Sequence, residues 1–399
     1  MSTAPKGFRF ATACAGFRKE GRADLALLVS DVPAVAAGTF TQNRFPAAPV
    51  LVAKAMLAER PAARAVVINS GQANACTGDE GMRNCRTTQE LVAGALGLEA
   101  SDILPASTGV IGAQLKMDLW EKAAPALAAN LGKATPEDFA RAIMTTDAFH
   151  KISHREVSLP GGVVKLVGMA KGAGMICPNM GTMLCFITSD CAITSDMLTA
   201  ALHEVVPRTF NRVTVDGDTS TNDACMVLCN GSAGNPLIDW KDDNYNIFKD
   251  ALMYVCTYMA RAIAADGEGA SHLLTCTVSG SRSEEAAERL AKAVVGSMLV
   301  KAAMFGADAN WGRVLCAMGY SRAPFRPDRV DASFYSSAGK IQVCKDGSAV
   351  EFDEDLAKKI LSEHEVSIII NVNEGDYTAT CWGCDLTYDY VRINGDYRT

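Results

Sequence analysis

Apolar residues along this chain recur in two patterns. Short, dense apolar runs stand at residues 24–29 (DLALLV), 65–69 (AVVIN), 183–187 (MLCFI), 273–279 and 366–372 (VSIIINV). Their length and bulk predict strands, several of them buried. Between them, longer segments place apolar residues three and four apart, the repeat of a helix with one buried face. These predict helices over 79–96, 118–131, 195–206, 246–264, 283–305 and 353–362. Pro125 lies inside the second of these and predicts a kink. Thr135-Pro136-Glu137-Asp138 predicts a further helix start, with a threonine cap, proline in the first turn and acids behind it, and that helix runs to about Met144. Thr194 or Ser195 caps the helix over 195–206. Residues 329–350 read as hairpins and 377–390 as a β-rich run. Strands and helices thus alternate from end to end, which is compatible with a layered α/β chain. Neither an internal repeat nor a linker divides it.

Composition changes this picture little. The chain has 399 residues, 49% hydrophobic and 21% charged, within the ordinary globular range. A formal net charge of −7 without a basic block argues against a nucleic-acid partner. No apolar stretch approaches the roughly 18 residues of a membrane span, and the N-terminus lacks the order of a signal peptide. A cytoplasmic protein is expected. Fourteen cysteines, scattered singly, then read mostly as buried thiols of a reducing compartment. Cys381 and Cys384 form a C-x-x-C, but within a β-rich run and without a second ligand pair, so a structural role is expected and no metal site. Three acids in Thr214–Asp223 (TVDGDTSTND) lack the alternate-position ligands of a calcium loop. His150 and His154 are expected at the surface.

Candidate chemistry concentrates in KGAGMICPNMGTML, residues 171–184. Lys171 stands among glycines, and Gly181-Thr182 opens the apolar run at 183–187. The plain reading is a tight turn before a strand. The alternative is a chain that cuts itself before Thr182. The freed α-amine, with a pKa of about 7.7–8.0, would then serve as base for the threonine hydroxyl. A second element is Pro105–Gly112 (PASTGVIG), where the Thr108 hydroxyl and the Gly109 amide could aim two donors at one point, as an oxyanion hole requires. Taken alone, Ser-Thr-Gly usually reads as a loop.

Seven motifs in order resemble the ornithine acetyltransferase (glutamate N-acetyltransferase) family. They are NSGQANACTG at 69–78, PASTGVIG at 105–112, TTD at 145–147, KGAGMICPNMGTML at 171–184, TVDGDTSTND at 214–223, GEGA at 267–270 and YVRINGDYRT at 390–399. Gly181 and Gly395 stand where the family more often has alanine, and Ser271-His272 replaces its usual Thr-Lys. The resemblance implies a layered α-β-β-α sandwich, shared with self-cleaving aminopeptidases, with strands of both halves interleaved. It implies cleavage between Gly181 and Thr182 into an α chain (1–181) and a β chain (182–399) that pair as α2β2. Thr182 is then the nucleophile, and Thr108 and Gly109 the oxyanion hole. Thr145, Lys171, Glu268, Asn394 and Thr399 would bind substrate. The implied reaction moves acetyl from N2-acetylornithine to L-glutamate in arginine biosynthesis, without a cofactor, and some relatives also accept acetyl-CoA as a substrate. Two alternatives stand beside it: an aminopeptidase or amidase of the same superfamily, and an uncleaved amino-acid-binding protein.

Overall fold

The computed structural model describes residues 4–18, 21–177 and 183–395. The first half builds strands β1 (Phe8–Ala13) and β2 (Leu25–Phe40), helix α1 (Ala48–Glu59), β3 (Ala62–Gln72), α2 (Gly78–Leu96), β4 (Ile103–Val110), α3 (Met117–Ala129), α4 (Pro136–Ala142), β5 (Lys151–Leu159) and β6 (Gly162–Lys171). Then come β7 (Leu184–Ser189), α5 (Ser195–Val205), β8 (Ala224–Cys229) and α6 (Asp243–Ala265). These strands form one eight-stranded sheet in the order β4-β3-β2-β8-β7-β6-β5, with β1 also on β2.

The sheet is folded into two layers at β2. Residues 25–29 pair with β1 and β3, the strand passes exposed Asp31–Pro33, and residues 35–40 pair with β8. Alternation of side chains then sorts every strand between two cores. Ala26, Leu28, Val66 and Ile68 of one layer meet Leu184, Phe186, Met226 and Leu228 of the other in a shared inner core. Leu25, Leu27, Ala65 and Val67 face outward onto α2 and α3. Cys185, Ile187, Cys225 and Val227 face outward onto α5 and α6. The result is the expected α-β-β-α sandwich. Strands on both sides of residues 181/182 interleave, since β8 pairs with β2 and β7 pairs with β6. Burial on both faces is why these strands read as unbroken apolar runs.

Residues beyond α6 add a second sheet. Here stand β9 (Leu273–Ser281), α7 (Glu284–Val295), α8 (Met298–Phe305), α9 (Trp311–Tyr320), β10 (Asp331–Ser336), β11 (Gly339–Lys345), β12 (Ser348–Ala349), α10 (Glu354–Leu361), β13 (Glu365–Asn371), β14 (Tyr377–Cys384) and α11 (Tyr388–Asn394). Six strands in the order β12-β11-β10-β13-β9-β14 enclose their own core with α7, α9 and α10. Two expectations change. The helix over 283–305 is two helices, broken at Gly296-Ser297, where the Ser297 hydroxyl accepts from Val300 N and starts α8. The run 377–390 is a strand followed by a helix, with Thr387 as its cap. Cys381 and Cys384 are free, and burial pushes the Cys381 thiol up to about 12. They face opposite sides of β14, one in each core. Among the described residues no helix is long and apolar enough to cross a membrane.

Candidate active site

A narrow cavity of about 120 Å³ opens where the two layers end. β4 and its continuation supply Thr108, Gly109 and Ile111, and the end of β6 supplies Lys171, followed by Gly174 and Met175. Loops add Thr145, Thr146, Ser220, Thr221 and Asn222, and Glu268 and Asn394 complete the lining. Six of the nine residues that the sequence singled out therefore meet in one place. The other three, Gly181, Thr182 and Thr399, lie outside the described residues.

Ser107-Thr108-Gly109 is strand, not loop. It pairs in parallel with Asn69-Ser70-Gly71 of β3. At Gly109 φ is +133°, and a Cβ would lie 2.2 Å from the Gly71 carbonyl carbon, so only glycine fits this approach. Ser107 Oγ donates to Asn69 Oδ1 at 2.6 Å, and Asn222 Nδ2 donates to the carbonyls of Ser107 at 2.7 Å and Ala73 at 2.6 Å. The strand end is thereby fixed from two sides.

Lys171 is buried, and its Nζ donates to Thr108 Oγ1 at 3.3 Å. That bond occupies a lone pair of Thr108 and leaves the hydroxyl proton for another acceptor. Lys171 has no ion-pair partner among the described residues. Burial lowers its pKa below the ordinary lysine value, while Asp147 pulls the other way. Asp147 is itself buried, which alone would raise its pKa. The ammonium groups of Lys171 and Lys151, with hydrogen bonds from Lys151 Nζ and Gly172 N (2.7 Å each), prevail and hold the carboxyl well below its usual range. Its other oxygen accepts from Thr145 N at 2.9 Å, and Arg18 donates to the carbonyls of Met144 and Thr145. Lys151 also reaches Asp266 at 2.5 Å, just before the Glu268 loop. Lys151 and Asp266 carry no motif of their own, so sequence reasoning missed them. Only the TTD and GEGA motifs beside them pointed here.

Glu268 is buried and accepts from Asn394 Nδ2 at 2.7 Å. Its carboxyl group lies against Gly174, where a Cβ would stand 2.2 Å from Oε2. The Glu268 loop is tied to the approach of α11. Thr387 Oγ1 donates to Gly269 O at 2.6 Å, and Asp385 accepts from the backbone N–H of Ser271 and His272 at 2.9 and 3.0 Å. Ser271 and His272, the departures from the family pattern, thus hold position through Asp385.

The loop over 214–223 braces the approach to the segment 178–182. Asp216 accepts from Met175 N at 2.7 Å and Ile176 N at 2.8 Å, and Thr219 Oγ1 donates to Cys177 O at 2.8 Å. On the far side, Ala224 N donates to Met183 O at 2.9 Å. Among the described residues no cluster of His, Cys, Asp or Glu is placed to hold a metal. Ser220, Thr221 and Asn222 also line the cavity, which the sequence reading, content with a supporting turn, did not anticipate. A larger hollow of about 570 Å³, lined by Arg22, Asp138, Arg141 and His150 among others, contains none of the residues singled out for chemistry.

Comparison with known proteins agrees with these motifs. The ArgJ family model matches residues 9–399. The chain is 52% identical over 400 residues to the arginine biosynthesis bifunctional protein ArgJ of Nitratidesulfovibrio vulgaris, covering all of both chains. It is 49% identical over 399 residues to the protein of the same name from Symbiobacterium thermophilum, covering 100% of this chain and 98% of that one. A crystal structure of the ArgJ protein of Bacillus halodurans matches with a TM-score of 0.50 at 42% identity, over 52% of this chain and 96% of that chain. Motifs, fold and full-length similarity lead to one conclusion: the chain belongs to the ArgJ family.

Proposed function

We propose that this protein is a glutamate N-acetyltransferase that carries acetyl from N2-acetylornithine to L-glutamate on Thr182. The chain cuts itself between Gly181 and Thr182, and residues 1–181 and 182–399 stay associated as α2β2. The Thr182 amine takes the proton of its own hydroxyl as the oxygen attacks the acetyl carbonyl. The Thr108 hydroxyl and Gly109 amide receive the charge that develops on the carbonyl oxygen, each donor contributing about 3–4 kcal/mol of the kind known for such sites. Ornithine leaves, and the amine of glutamate then attacks the acetyl ester. Acetyl-CoA is a second acetyl donor in this reading, and no cofactor is needed. The reaction is cytoplasmic.

The observation that carries this reading is a pair of opposite charges in one cavity. Lys171 and Glu268 are both buried, and each bonds a neutral group, Thr108 at 3.3 Å and Asn394 at 2.7 Å. Neither makes a direct ion pair among the described residues, and a buried charge that lacks one is costly. N2-acetylornithine carries a carboxylate at one end and an ammonium at the other, and it would relieve both: Lys171 takes the α-carboxylate and Glu268 the side-chain ammonium. Thr145, Asn394 and Thr399 supply neutral donors and acceptors for a glutamate side chain. Two further facts support the reading. The relatives at about half identity are named as bifunctional proteins of arginine biosynthesis. The solved Bacillus halodurans chain, almost wholly covered by about half of this one, has the length of a cleaved half.

The test is release of ornithine from N2-acetylornithine with and without glutamate. Sustained release that requires glutamate is expected. Equal release without it would favour the aminopeptidase or amidase alternative, and binding without any release would favour the uncleaved amino-acid-binding protein.

A further inference from the structure

We infer that the larger hollow beside the candidate active site binds the adenine-nucleotide end of acetyl-CoA, with Arg22 and Arg141 on its phosphates and Phe149 against its base. This rests on the acetyl-CoA reading above and adds to it three residues outside every motif.

The cavity that holds Thr108 and Gly109 measures about 120 Å³. Ligand pockets commonly run from about 300 to 1,000 Å³, so this one has room for the acyl end of a thioester and not for a nucleotide. A nucleotide needs a second site within reach. The hollow of about 570 Å³ has the size, and it shares a wall with the cavity. That wall is the segment 144–150. Thr145 and Thr146 line the cavity, while Met144, Ala148 and Phe149 line the hollow. Consecutive Cα atoms are about 3.8 Å apart, so Met144 and Thr145 set the two spaces side by side. The wall is braced. Arg18 donates to the carbonyls of Met144 and Thr145, Ser70 Oγ donates to Ala142 O at 2.8 Å, and Ala148 N donates to Asp266 Oδ1 at 3.1 Å.

Arg22 and Arg141 are exposed at this hollow. Arg22 makes one long hydrogen bond, to the Arg141 carbonyl at 3.4 Å. Among the described residues neither guanidinium has a carboxylate partner, whereas Arg9, Arg60, Arg208 and Arg212 each hold one. Asp138, the acid in the lining, is already engaged: its Oδ2 accepts from Thr135 N at 2.9 Å and Thr135 Oγ1 at 2.8 Å. The site needs no charge from His150, whose charged neighbours are Arg141, Glu137 and Lys151. Guanidinium groups present paired donors that match phosphate oxygens. Phe149 is 43% exposed and offers a face on which a base can stack. Free phosphate would call for the arginines alone. Arginines, an aromatic face and a wall shared with the acyl cavity together fit a nucleotide-bearing thioester. A different hollow, of about 310 Å³, holds Arg44 beside exposed Phe45 but has a single cation.

The test measures coenzyme A binding by calorimetry, with adenosine 3′,5′-bisphosphate and ATP as competitors, beside steady-state kinetics with each acetyl donor. The Arg22→Gln/Arg141→Gln double variant should bind coenzyme A about 10²-fold more weakly, the loss of charge-assisted bonds from two arginines. Phe149→Ala should bind it about 10-fold more weakly, through lost stacking. Arg44→Gln should bind it as wild type does. The KM for acetyl-CoA should rise by the same factors while kcat/KM for N2-acetylornithine stays unchanged, and Arg22→Lys/Arg141→Lys should recover part of the loss. Equal binding by wild type and the double variant would overturn the assignment. So would a wild type that binds no coenzyme A, competition by ATP as strong as by the bisphosphate, or a matching loss of N2-acetylornithine turnover. Coenzyme A bound through these residues, with no acetyl transfer from acetyl-CoA, would uphold the site and remove the donor reading.

Discussion

At the scale of single residues, the cavity turns on where two buried charges and two glycines sit. Lys171→Met should lower kcat/KM about 10- to 100-fold, the range of one charge-assisted hydrogen bond, and equally for N2-acetylornithine and glutamate, since both carry the α-carboxylate. Gly174→Ala should instead fall hardest on N2-acetylornithine. Its Cβ would enter the space of the Glu268 carboxyl group, so KM for that substrate rises while Glu268 itself is unchanged. Steady-state kinetics with each substrate varied in turn distinguish the two outcomes. Asp147 makes a prediction about stability. Its folded pKa is lowered, so its contribution is present above the unfolded carboxyl pKa of about 3.9 and is lost as pH falls through the folded value. Asp147→Asn breaks a buried ion pair and should cost about 3–5 kcal/mol in urea unfolding at neutral pH, with a smaller gap to wild type in strong acid. Much of this was legible as short motifs, because each depends on local backbone or on one chemical group. Gly109 is such a case, since its requirement is a close backbone approach. Lys151 and Asp266 were not legible, because their partnership exists only once β5 and the end of α6 are brought together.

At the scale of elements, periodicity predicted most helices and strands and failed where two elements share one period. The apolar repeat runs unbroken across Gly296-Ser297, yet the chain stops one helix there and caps the next. Ser297→Ala should therefore cost about 1 kcal/mol, the worth of a serine cap, read as a shift in the urea midpoint without a change in slope. The apolar pattern predicts a strand only over 24–29, whereas β2 is sixteen residues long. Its second part is rich in alanine and glycine, residues with little strand preference, and is held in place by β8 from far along the chain. Ser-Thr-Gly reads as a turn by composition, and its pairing with β3 makes it strand. In each case tertiary pairing decided what local sequence left open.

At the scale of the whole molecule, β2 beside β8 and β6 beside β7 mean that residues on either side of 181/182 share one sheet and two cores. A cut there should leave one particle. The two fragments should elute together in native gel filtration and part only in denaturant. This interleaving was expected from family resemblance, not from pattern, because no local signal tells which strands of an α/β chain become neighbours. The second sheet, with its separate core, had no signal beyond its individual strands. The central claim is that a threonine freed by cleavage carries the acetyl group, and intact mass tests it most directly. Purified wild type and Thr182→Ala are denatured and weighed, before and after brief exposure to N2-acetylornithine without glutamate. Two wild-type fragments divided at Gly181/Thr182, with one acetyl group gained by the fragment that begins at Thr182, and a single unmodified Thr182→Ala chain are the predicted result. A wild-type chain that remains whole, or fragments that never gain acetyl, would contradict it.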